Sequence, residues 1–115
     1  MQTNSFHHTQ LLRARDYILD NLDKQLLSKD IAKVAHISLY HFHRLFSDTF
    51  GITPAKYIRN KRIEEAKLLL LKHQKSVSEV ASQVGYADVY TFSKTFKREV
   101  GLPPTEYRYF HCYND

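Results

Sequence analysis

The sequence contains one cysteine, three glycines, three prolines and no tryptophan among its 115 residues. Cys112 therefore has no partner for a disulfide within the chain, and the scattered glycines form no phosphate-binding loop. The longest purely apolar run, Leu68 to Leu71, is far shorter than the roughly 20 residues that cross a membrane. The polar start, Met1 to Ser5, lacks the basic and apolar regions of a secretory signal. We therefore expect a cytoplasmic protein that does not enter a membrane.

Catalytic and metal-binding groups are scarce as well. No nucleophile, base and orienting group can be combined from the sequence, so we predict that the chain is not an enzyme. The histidine pairs His7-His8 and His41-x-His43 come closest to a metal site. Neighbouring and alternate residues of a helix point in different directions, however, and no cysteine or acidic residue recurs at a ligand spacing. We predict neither a metal ion nor any other cofactor.

The composition suits one compact and positively charged structural unit. Hydrophobic residues make up 43% of the chain and charged residues 25%, but the length is too short for two ordinary independent domains. Lysine and arginine outnumber aspartate and glutamate by 17 to 12, which gives a formal net charge of +5. This excess favours a polyanionic partner such as double-stranded DNA, although basic composition alone does not identify one.

An internal repeat organises the chain. At a shift of 50 residues, capping, aromatic, basic, glycine and proline positions recur in the same order. The first copy contains Ser38, Tyr40, Phe42, Arg44, Phe46, Gly51, Ile52, Pro54 and Tyr57, and the second contains Asp88, Tyr90, Phe92, Lys94, Phe96, Gly101, Leu102, Pro104 and Tyr107. Upstream the shift becomes 49, pairing residues 31–32 with 80–81, so the turn of the second copy has one additional residue.

Each copy predicts two short helices. Ser28 can cap a first helix that runs to about His36, and Ser76 with Glu79 forms the capping box of its counterpart. The second helix of each copy follows Ser38 or Asp88, whose side-chain oxygens can accept from unpaired backbone amides. A left-handed glycine ends each second helix, at Gly51 and at Gly101.

One long helix, from Pro54 to about His73, separates the copies, with Thr53 as its cap. At about 1.5 Å per residue it would span roughly 30 Å, close to the approximately 34 to 36 Å between successive major grooves. A leading helix over about 9–22 and a last helix from Pro104 towards Phe110 complete an all-α fold of seven helices. The predicted organisation is two helix-turn-helix subdomains, over about 9–52 and 76–110, joined by the linker helix over 54–73.

The second helix of each copy has an apolar and a polar stripe. We predict that Phe42, Leu45 and Phe46 with Thr49, and Val89, Phe92 and Phe96 with Val100, point inward. The outward stripes are then Tyr40, His43, Arg44 and Ser47 in the first copy, and Tyr90, Thr91, Lys94 and Lys97 in the second. Arg44 and Lys94 occupy matching places and can donate to guanine, and Arg44 is the stronger candidate because its planar fork can form two parallel hydrogen bonds.

Basic residues are concentrated along the linker helix, at Lys56, Arg59, Lys61, Arg62, Lys67 and Lys72. We expect Lys56 and Arg59 to contact the phosphate backbone, since they lie nearest the first helix-turn-helix. The full set of predicted backbone contacts is Ser38, Ser47, Lys56, Arg59, Lys97 and Arg98. The apolar linker residues, Ile58, Ile63, Ala66, Leu69 and Leu70, are better explained as core.

These residues resemble the DNA-binding domain of the AraC/XylS family of bacterial transcription regulators. The most specific part runs from Val84-Gly85-Tyr86-Ala87-Asp88 through Phe92, Phe96, Gly101 and Pro104 to Tyr107-Arg108. The resemblance implies recognition helices over about 39–50 and 89–100 that enter adjacent major grooves, and activation of transcription through RNA polymerase. The base-reading positions that it implies are Tyr40, His43 and Arg44, and Tyr90, Thr91 and Lys94.

One residue departs from the family pattern: His36 stands where the first turn commonly has glycine, so we expect the first turn to be slightly altered. A left-handed conformation is uncommon for residues other than glycine, although histidine is among those that tolerate it better. Many family members also carry a sensor or dimerisation domain. The chain is therefore either a small regulator controlled by its abundance or a C-terminal domain of a larger one. Two other functions stay open, a basic helical protein that binds nucleic acid without sequence preference and a helical protein-interaction module. Strong preference for one DNA sequence would distinguish the regulator from both.

Overall fold

A computed structural model describes residues 5–72 and 74–112. Within these residues the chain forms seven α-helices and no β-strand, which confirms the predicted all-α fold. In chain order the helices are α1 (Ser5–Asp20), α2 (Ser28–Val34), α3 (Leu39–Phe50), α4 (Pro54–Leu70), α5 (Val77–Gln83), α6 (Val89–Val100) and α7 (Pro104–Cys112). None of these helices combines the length and the apolar character needed to cross a membrane.

The helices belong to two compact units, one ending at Asn60 and the other beginning at Lys61. This boundary falls within α4, so the first turns of α4 belong to the first unit and its later turns to the second. Each unit contains one copy of the sequence repeat and has its own hydrophobic core.

The core of the first unit is built around two buried aromatic rings of α3. The rings of Phe42 and Phe46 have their centroids 5.6 Å apart. Tyr57 of α4 meets Phe46 edge to face at 5.3 Å, a geometry that the ring quadrupoles favour. Aliphatic residues from α1, α2 and α4, and Ala35 directly after α2, share this core with the rings; the helical residues are Leu11, Ala14, Ile18, Ile31, Ala32 and Ile58.

The core of the second unit repeats this packing. Phe92 and Phe96 of α6 are buried with their centroids 5.7 Å apart, and Tyr107 of α7 meets Phe96 edge to face at 5.4 Å. Ile63, Ala66, Leu70, Val80, Ala81 and Val84 complete this core. The three aromatic residues stand 50 positions after Phe42, Phe46 and Tyr57, so the repeat in sequence is also a repeat in packing.

The predicted boundaries of α3 and α6 are confirmed, because both ends carry strong local signals. Ser38 and Asp88 each accept a hydrogen bond from the backbone N–H three residues on, at 3.2 and 2.7 Å. Gly51 and Gly101 end the helices with φ angles of 79° and 96°, which are left-handed. A side chain other than glycine would be strained there.

The two turns also have the same backbone geometry. His36 has a φ of 58° and Gly85 a φ of 92°. In each turn the N–H of this residue donates to the carbonyl three residues back (3.1 Å in both), and the next N–H donates to the carbonyl five residues back (3.1 and 3.0 Å). This is the Schellman motif that closes α2 and α5. His36 is therefore left-handed, and the expected alteration of the first turn is not seen in these hydrogen bonds. Ala87 is the additional residue of the second turn.

The starts of α2 and α5 differ from each other. Ser76 and Glu79 form the predicted capping box, with bonds of 3.0 and 2.8 Å, and the Ser76 backbone N–H holds the pKa of Glu79 below its ordinary value. The prediction that Ser28 caps α2 is wrong, because Leu27 is the cap residue and has no side-chain bond to the helix. The first turn of α2 has no side-chain cap, but Ile31 of that turn is buried in the core of the first unit.

Other helix ends lie away from their predicted positions. The linker helix α4 ends at Leu70, before the predicted end near His73, which lies outside the described residues. The amides of Leu71 and Lys72 donate to carbonyls only three residues back, so the chain tightens into a turn. α1 covers 5–20 rather than 9–22. It ends early because the backbone N–H of Asn21 donates to the Ile18 carbonyl, only three residues back, and so starts a turn. α7 continues past Phe110 to residue 112.

Two residues predicted to point inward are exposed. Val89 has 40% of its surface accessible, because it is the first residue of α6 and lies beyond the packed turn that contains Phe92. Thr49, in the last turn of α3, is also exposed. The buried face of α6 instead includes Thr95, which is only 8% exposed. The predicted core positions of α4 are confirmed: Ile58, Ile63, Ala66 and Leu70 are buried, and Leu69 packs against the second core.

Candidate nucleic-acid interface

The helix α3 presents polar side chains opposite its buried rings. Tyr40 has 68% of its surface exposed, and His43 and Arg44 are exposed on the following turn. Arg44 Nη1 donates to the Tyr40 hydroxyl oxygen over 3.1 Å. Because residues i and i+4 are neighbours on a helix surface, this bond joins two side chains of one face. It uses one of the five guanidinium N–H donors, so the others stay accessible.

The helix α6 repeats this arrangement with different chemistry. Tyr90 is 70% exposed, and Lys94 Nζ lies 5.6 Å from the centroid of its ring, within the range of a cation–π interaction. The pairs Tyr40–Arg44 and Tyr90–Lys94 are equivalent under the shift of 50 residues. Each unit thus places an exposed tyrosine beside a cation on the face opposite its core.

Two of the predicted contact residues take part in helix capping. The backbone N–H of Thr91 donates to Asp88 Oδ1 (2.7 Å), and its hydroxyl donates to Asp88 Oδ2 (3.1 Å). These bonds favour the charged carboxylate and hold the pKa of Asp88 below its ordinary value. Ser38 Oγ accepts the N–H of His41 and lies 3.1 Å from His41 Nδ1. Both hydroxyl groups are therefore already hydrogen-bonded within the chain, although Ser38 and Thr91 are exposed.

The other predicted backbone contacts differ in accessibility. Lys56 and Lys97 are exposed cations, whereas Ser47 and Arg59 are half-buried. Arg98 is exposed and pairs with its neighbour Glu99 over 3.3 Å. The first unit brings Tyr40, His43, Arg44 and Ser47 onto α3, with Ser38 as its cap and with Lys56 and Arg59 on α4. The second unit brings Tyr90, Thr91, Lys94, Lys97 and Arg98 onto α6.

Two cations in the later part of α4 pack against aromatic rings of the second unit. The Arg62 guanidinium lies 5.9 Å from the centroid of the Tyr86 ring, and burial lowers the pKa of Arg62. Lys67 Nζ lies 6.0 Å from the centroid of the Tyr107 ring. These contacts give Arg62 and Lys67 a structural role within their unit, so the concentration of charge in the α4 sequence is only partly available to a partner.

The histidines do not assemble a metal site in the described part of the chain. No group of three histidine, cysteine, aspartate or glutamate side chains among residues 5–72 and 74–112 is placed to hold a metal ion. His41 lies beside Ser38, and His43 has its ring 5.7 Å from that of Phe42.

One residue holds backbone groups of the second unit together in a way that was not predicted from the sequence. Arg108 of α7 donates through Nε to the Leu70 carbonyl (2.6 Å) and through Nη2 to the carbonyls of Lys72 (3.4 Å) and Lys75. Its guanidinium thereby satisfies backbone groups where α4 ends and the chain turns towards α5. No spacing rule connects Arg108 with residues 33 to 38 positions earlier, so no local signal could have identified this role.

Comparison with known proteins places these features in a family. The family described as "Helix-turn-helix domain" matches residues 31–109, which include both turns and both helices that carry the tyrosine–cation pairs. The lactose operon transcription activator of Staphylococcus xylosus is 32% identical over 102 residues, covering 89% of this chain and 37% of that protein. The chain spans less than half the length of the curated relatives that it matches first, 38%, 37% and 44%.

Solved structures agree with this assignment. A transcriptional regulator from Chromobacterium violaceum, described as AraC-type, matches with a TM-score of 0.83 and 26% identity, covering 97% of this chain and 100% of that chain. The DNA-binding domain of AdpA, a global transcriptional factor in complex with a target DNA, matches with a TM-score of 0.84 and 27% identity over 92% and 97% of the two chains. The family match covers more than half of the sequence and confirms the resemblance seen in its motifs. The chain belongs to the AraC-type family of DNA-binding, helix-turn-helix transcription regulators.

Proposed function

We propose that the chain recognises specific sequences of double-stranded DNA by inserting α3 and α6 into two adjacent segments of the major groove. The observation that carries this proposal is the repeated tyrosine–cation pair, exposed at equivalent positions of two helices. Each of these helices has its own cap and its own core, which hold the exposed side chains in register. Defined side-chain positions are what base recognition needs and what non-specific attraction to phosphate does not.

The side chains of the two helices suit different base edges. Arg44 can donate two parallel hydrogen bonds to O6 and N7 of guanine, whereas Lys94 offers a flexible point charge at the equivalent place. The hydrogen bond from Arg44 to Tyr40 restricts the Arg44 side chain before DNA binds. Less conformational entropy is then lost when that side chain is ordered on the DNA. Tyr40, His43, Tyr90 and Thr91 contact neighbouring bases in this proposal.

Phosphate contacts position the helices without selecting a sequence. The exposed cations Lys56, Lys97 and Arg98 supply this attraction, and their contribution weakens with salt because counterions are released on binding. Arg59, Ser38 and Ser47 have fewer accessible atoms or are hydrogen-bonded within the chain, so we assign them weaker backbone contacts.

The family supports a proposal for the regulatory setting as well. The chain acts on transcription in the bacterial cytoplasm, as an activator, through contact with RNA polymerase. Two of the first three relatives are named as transcription activators, and these three relatives are more than twice as long as the region matched. A sensor or dimerisation domain therefore belongs to this proposal if the chain is part of a longer protein.

Selection from a random duplex library at near-physiological salt tests the proposal. Sequencing of the bound DNA should recover two short motifs about one helical turn apart. Recovery of bound DNA without any motif would instead identify a non-specific nucleic-acid-binding protein. Failure to bind duplexes even at low salt would favour a protein-interaction module.

Replacing Arg44 with alanine tests the assignment of the bases. Binding to the selected site should weaken by about 1 to 3 kcal/mol, with relaxed preference at one base pair, because a bidentate contact to guanine is lost. Arg13→Ala is a matched control, since Arg13 is an exposed arginine of α1 outside the two proposed reading helices. Equal loss of affinity on every DNA sequence would make Arg44 a phosphate contact instead.

A further inference from the structure

The first residue of each proposed reading helix is an exposed aliphatic side chain. Leu39 begins α3 directly after its Ser38 cap and is 46% exposed, and Val89 begins α6 directly after its Asp88 cap and is 40% exposed. The two residues are equivalent under the shift of 50 residues. Both copies of the repeat therefore place a branched apolar side chain in water at the same position.

Packing within the protein does not account for these side chains. Among the described residues, the buried clusters and the half-buried apolar residues packed on them include neither Leu39 nor Val89. Isolated exposed apolar residues are common on protein surfaces, so either residue alone would carry little weight. The repetition at one defined position of two helices, immediately beside Tyr40 and Tyr90, makes a shared role the better explanation.

We propose that Leu39 and Val89 recognise thymine through its C5-methyl group. This inference rests on the proposed function, in which α3 and α6 enter the major groove. A helix of this type contacts base edges mainly with its N-terminal residues, so the first helical side chain comes close to a base. Thymine alone presents a methyl group in the major groove, whereas the other bases present hydrogen-bonding groups that an aliphatic side chain can only desolvate.

The neighbouring side chains complement this contact. One turn after Leu39 stands His43, and Arg44 follows it, so the N-terminal half of α3 offers an apolar group beside hydrogen-bond donors. In α6, Tyr90 and Thr91 follow Val89 directly and also offer hydrogen-bonding groups beside an apolar side chain. Each proposed half-site should therefore contain a thymine next to the bases that the polar residues contact.

Deoxyuridine substitution tests this proposal, because it removes only the methyl group from a thymine. Each thymine of the selected duplex is replaced singly by deoxyuridine, and the affinity of the full chain is measured. One replacement in each half-site should weaken binding about fourfold, the equivalent of about 0.8 kcal/mol for one buried carbon group. The Leu39→Ser variant should lose this discrimination in one half-site and Val89→Ser in the other.

Leu19→Ser is the matched control for these variants. Leu19 is 41% exposed on α1, so the substitution removes a similar apolar surface outside the proposed reading helices, and discrimination should remain fourfold. If wild-type binding is sequence-specific but indifferent to every deoxyuridine, the inference is overturned while the proposed function stands. Discrimination that persists in both serine variants also overturns it, because other residues or DNA shape then sense the methyl group. A library selection without any motif overturns the proposed function and this inference together.

Discussion

Replacing Arg108 with alanine should destabilise the second unit and leave the first unit unchanged. The Arg108 guanidinium donates to the backbone carbonyls of Leu70, Lys72 and Lys75, and the bonds to Leu70 and Lys75 are partly buried. Hydrogen bonds to charged groups contribute about 1.5 to 3 kcal/mol each. We expect a loss of about 3 kcal/mol, the lower end for two such bonds, because water can reach the carbonyl groups after the substitution.

Arg108→Lys separates the charge of the residue from its shape. Lysine keeps the positive charge but cannot present a planar fork to several carbonyls. The free energy of unfolding of Arg108→Lys should therefore lie between those of the wild type and Arg108→Ala. Arg98→Ala is the control within the same unit, since the pair that Arg98 forms with Glu99 is exposed. Surface ion pairs contribute about 0 to 1 kcal/mol, so this variant should remain close to wild type.

Hydrogen exchange combined with urea unfolding measures these effects on the full chain. Amides of α5 and α6 should lose protection in Arg108→Ala, whereas amides of α2 and α3 serve as an internal reference and should keep theirs. A change in unfolding free energy below about 0.5 kcal/mol would refute the role assigned to the carbonyl contacts. Equal loss of protection in both units would refute the restriction of that role to one unit.

Two further predictions concern the turns and caps. His36→Gly should be neutral or stabilising by up to about 1 kcal/mol, because glycine adopts the positive φ of 58° without strain; clear destabilisation on thermal unfolding would contradict this. Hydrogen bonds from Thr91 lower the pKa of Asp88 in the folded state. The charged carboxylate therefore stabilises the fold fully above the unfolded-state pKa of Asp88, and this stabilisation is lost as the pH falls through the folded-state pKa. Asp88→Asn should therefore show a smaller loss of unfolding temperature on acidification than wild type, and parallel pH profiles would exclude this contribution.

Local chemistry explains which parts of the fold could be predicted from the sequence. α3 and α6 have side-chain caps and left-handed glycines at their ends, and these signals depend only on residues within a few positions. The start of α2 has no such signal, since Leu27 offers the helix no side-chain bond. At the end of α4, the Leu70 carbonyl accepts a hydrogen bond from Arg108, which stands 38 residues later in the chain. No local sequence pattern contains such a contact.

The candidate site shows the same division between local and long-range information. The outward positions of Tyr40 and Tyr90 follow from helical periodicity, and both side chains are exposed. Helical periodicity placed Val89 in the core, because it continues the apolar stripe to the first residue of α6. The prediction was wrong because Phe92 is packed in the core whereas Val89 is exposed. The bond between Arg44 and Tyr40 required coordinates, since spacing brings the two side chains close without showing whether they interact.

The presence of a separate aromatic core in each unit has a consequence for how this protein can evolve. The rings of Phe46 and Tyr57 in one unit, and of Phe96 and Tyr107 in the other, keep nearly the same spacing although the exposed faces above them have diverged. Because each unit has its own core, a substitution on one exposed face leaves the core of the other unit unchanged. In the proposed function, a substitution on one exposed face would therefore change the preference for one half of the target and keep the other half as an anchor.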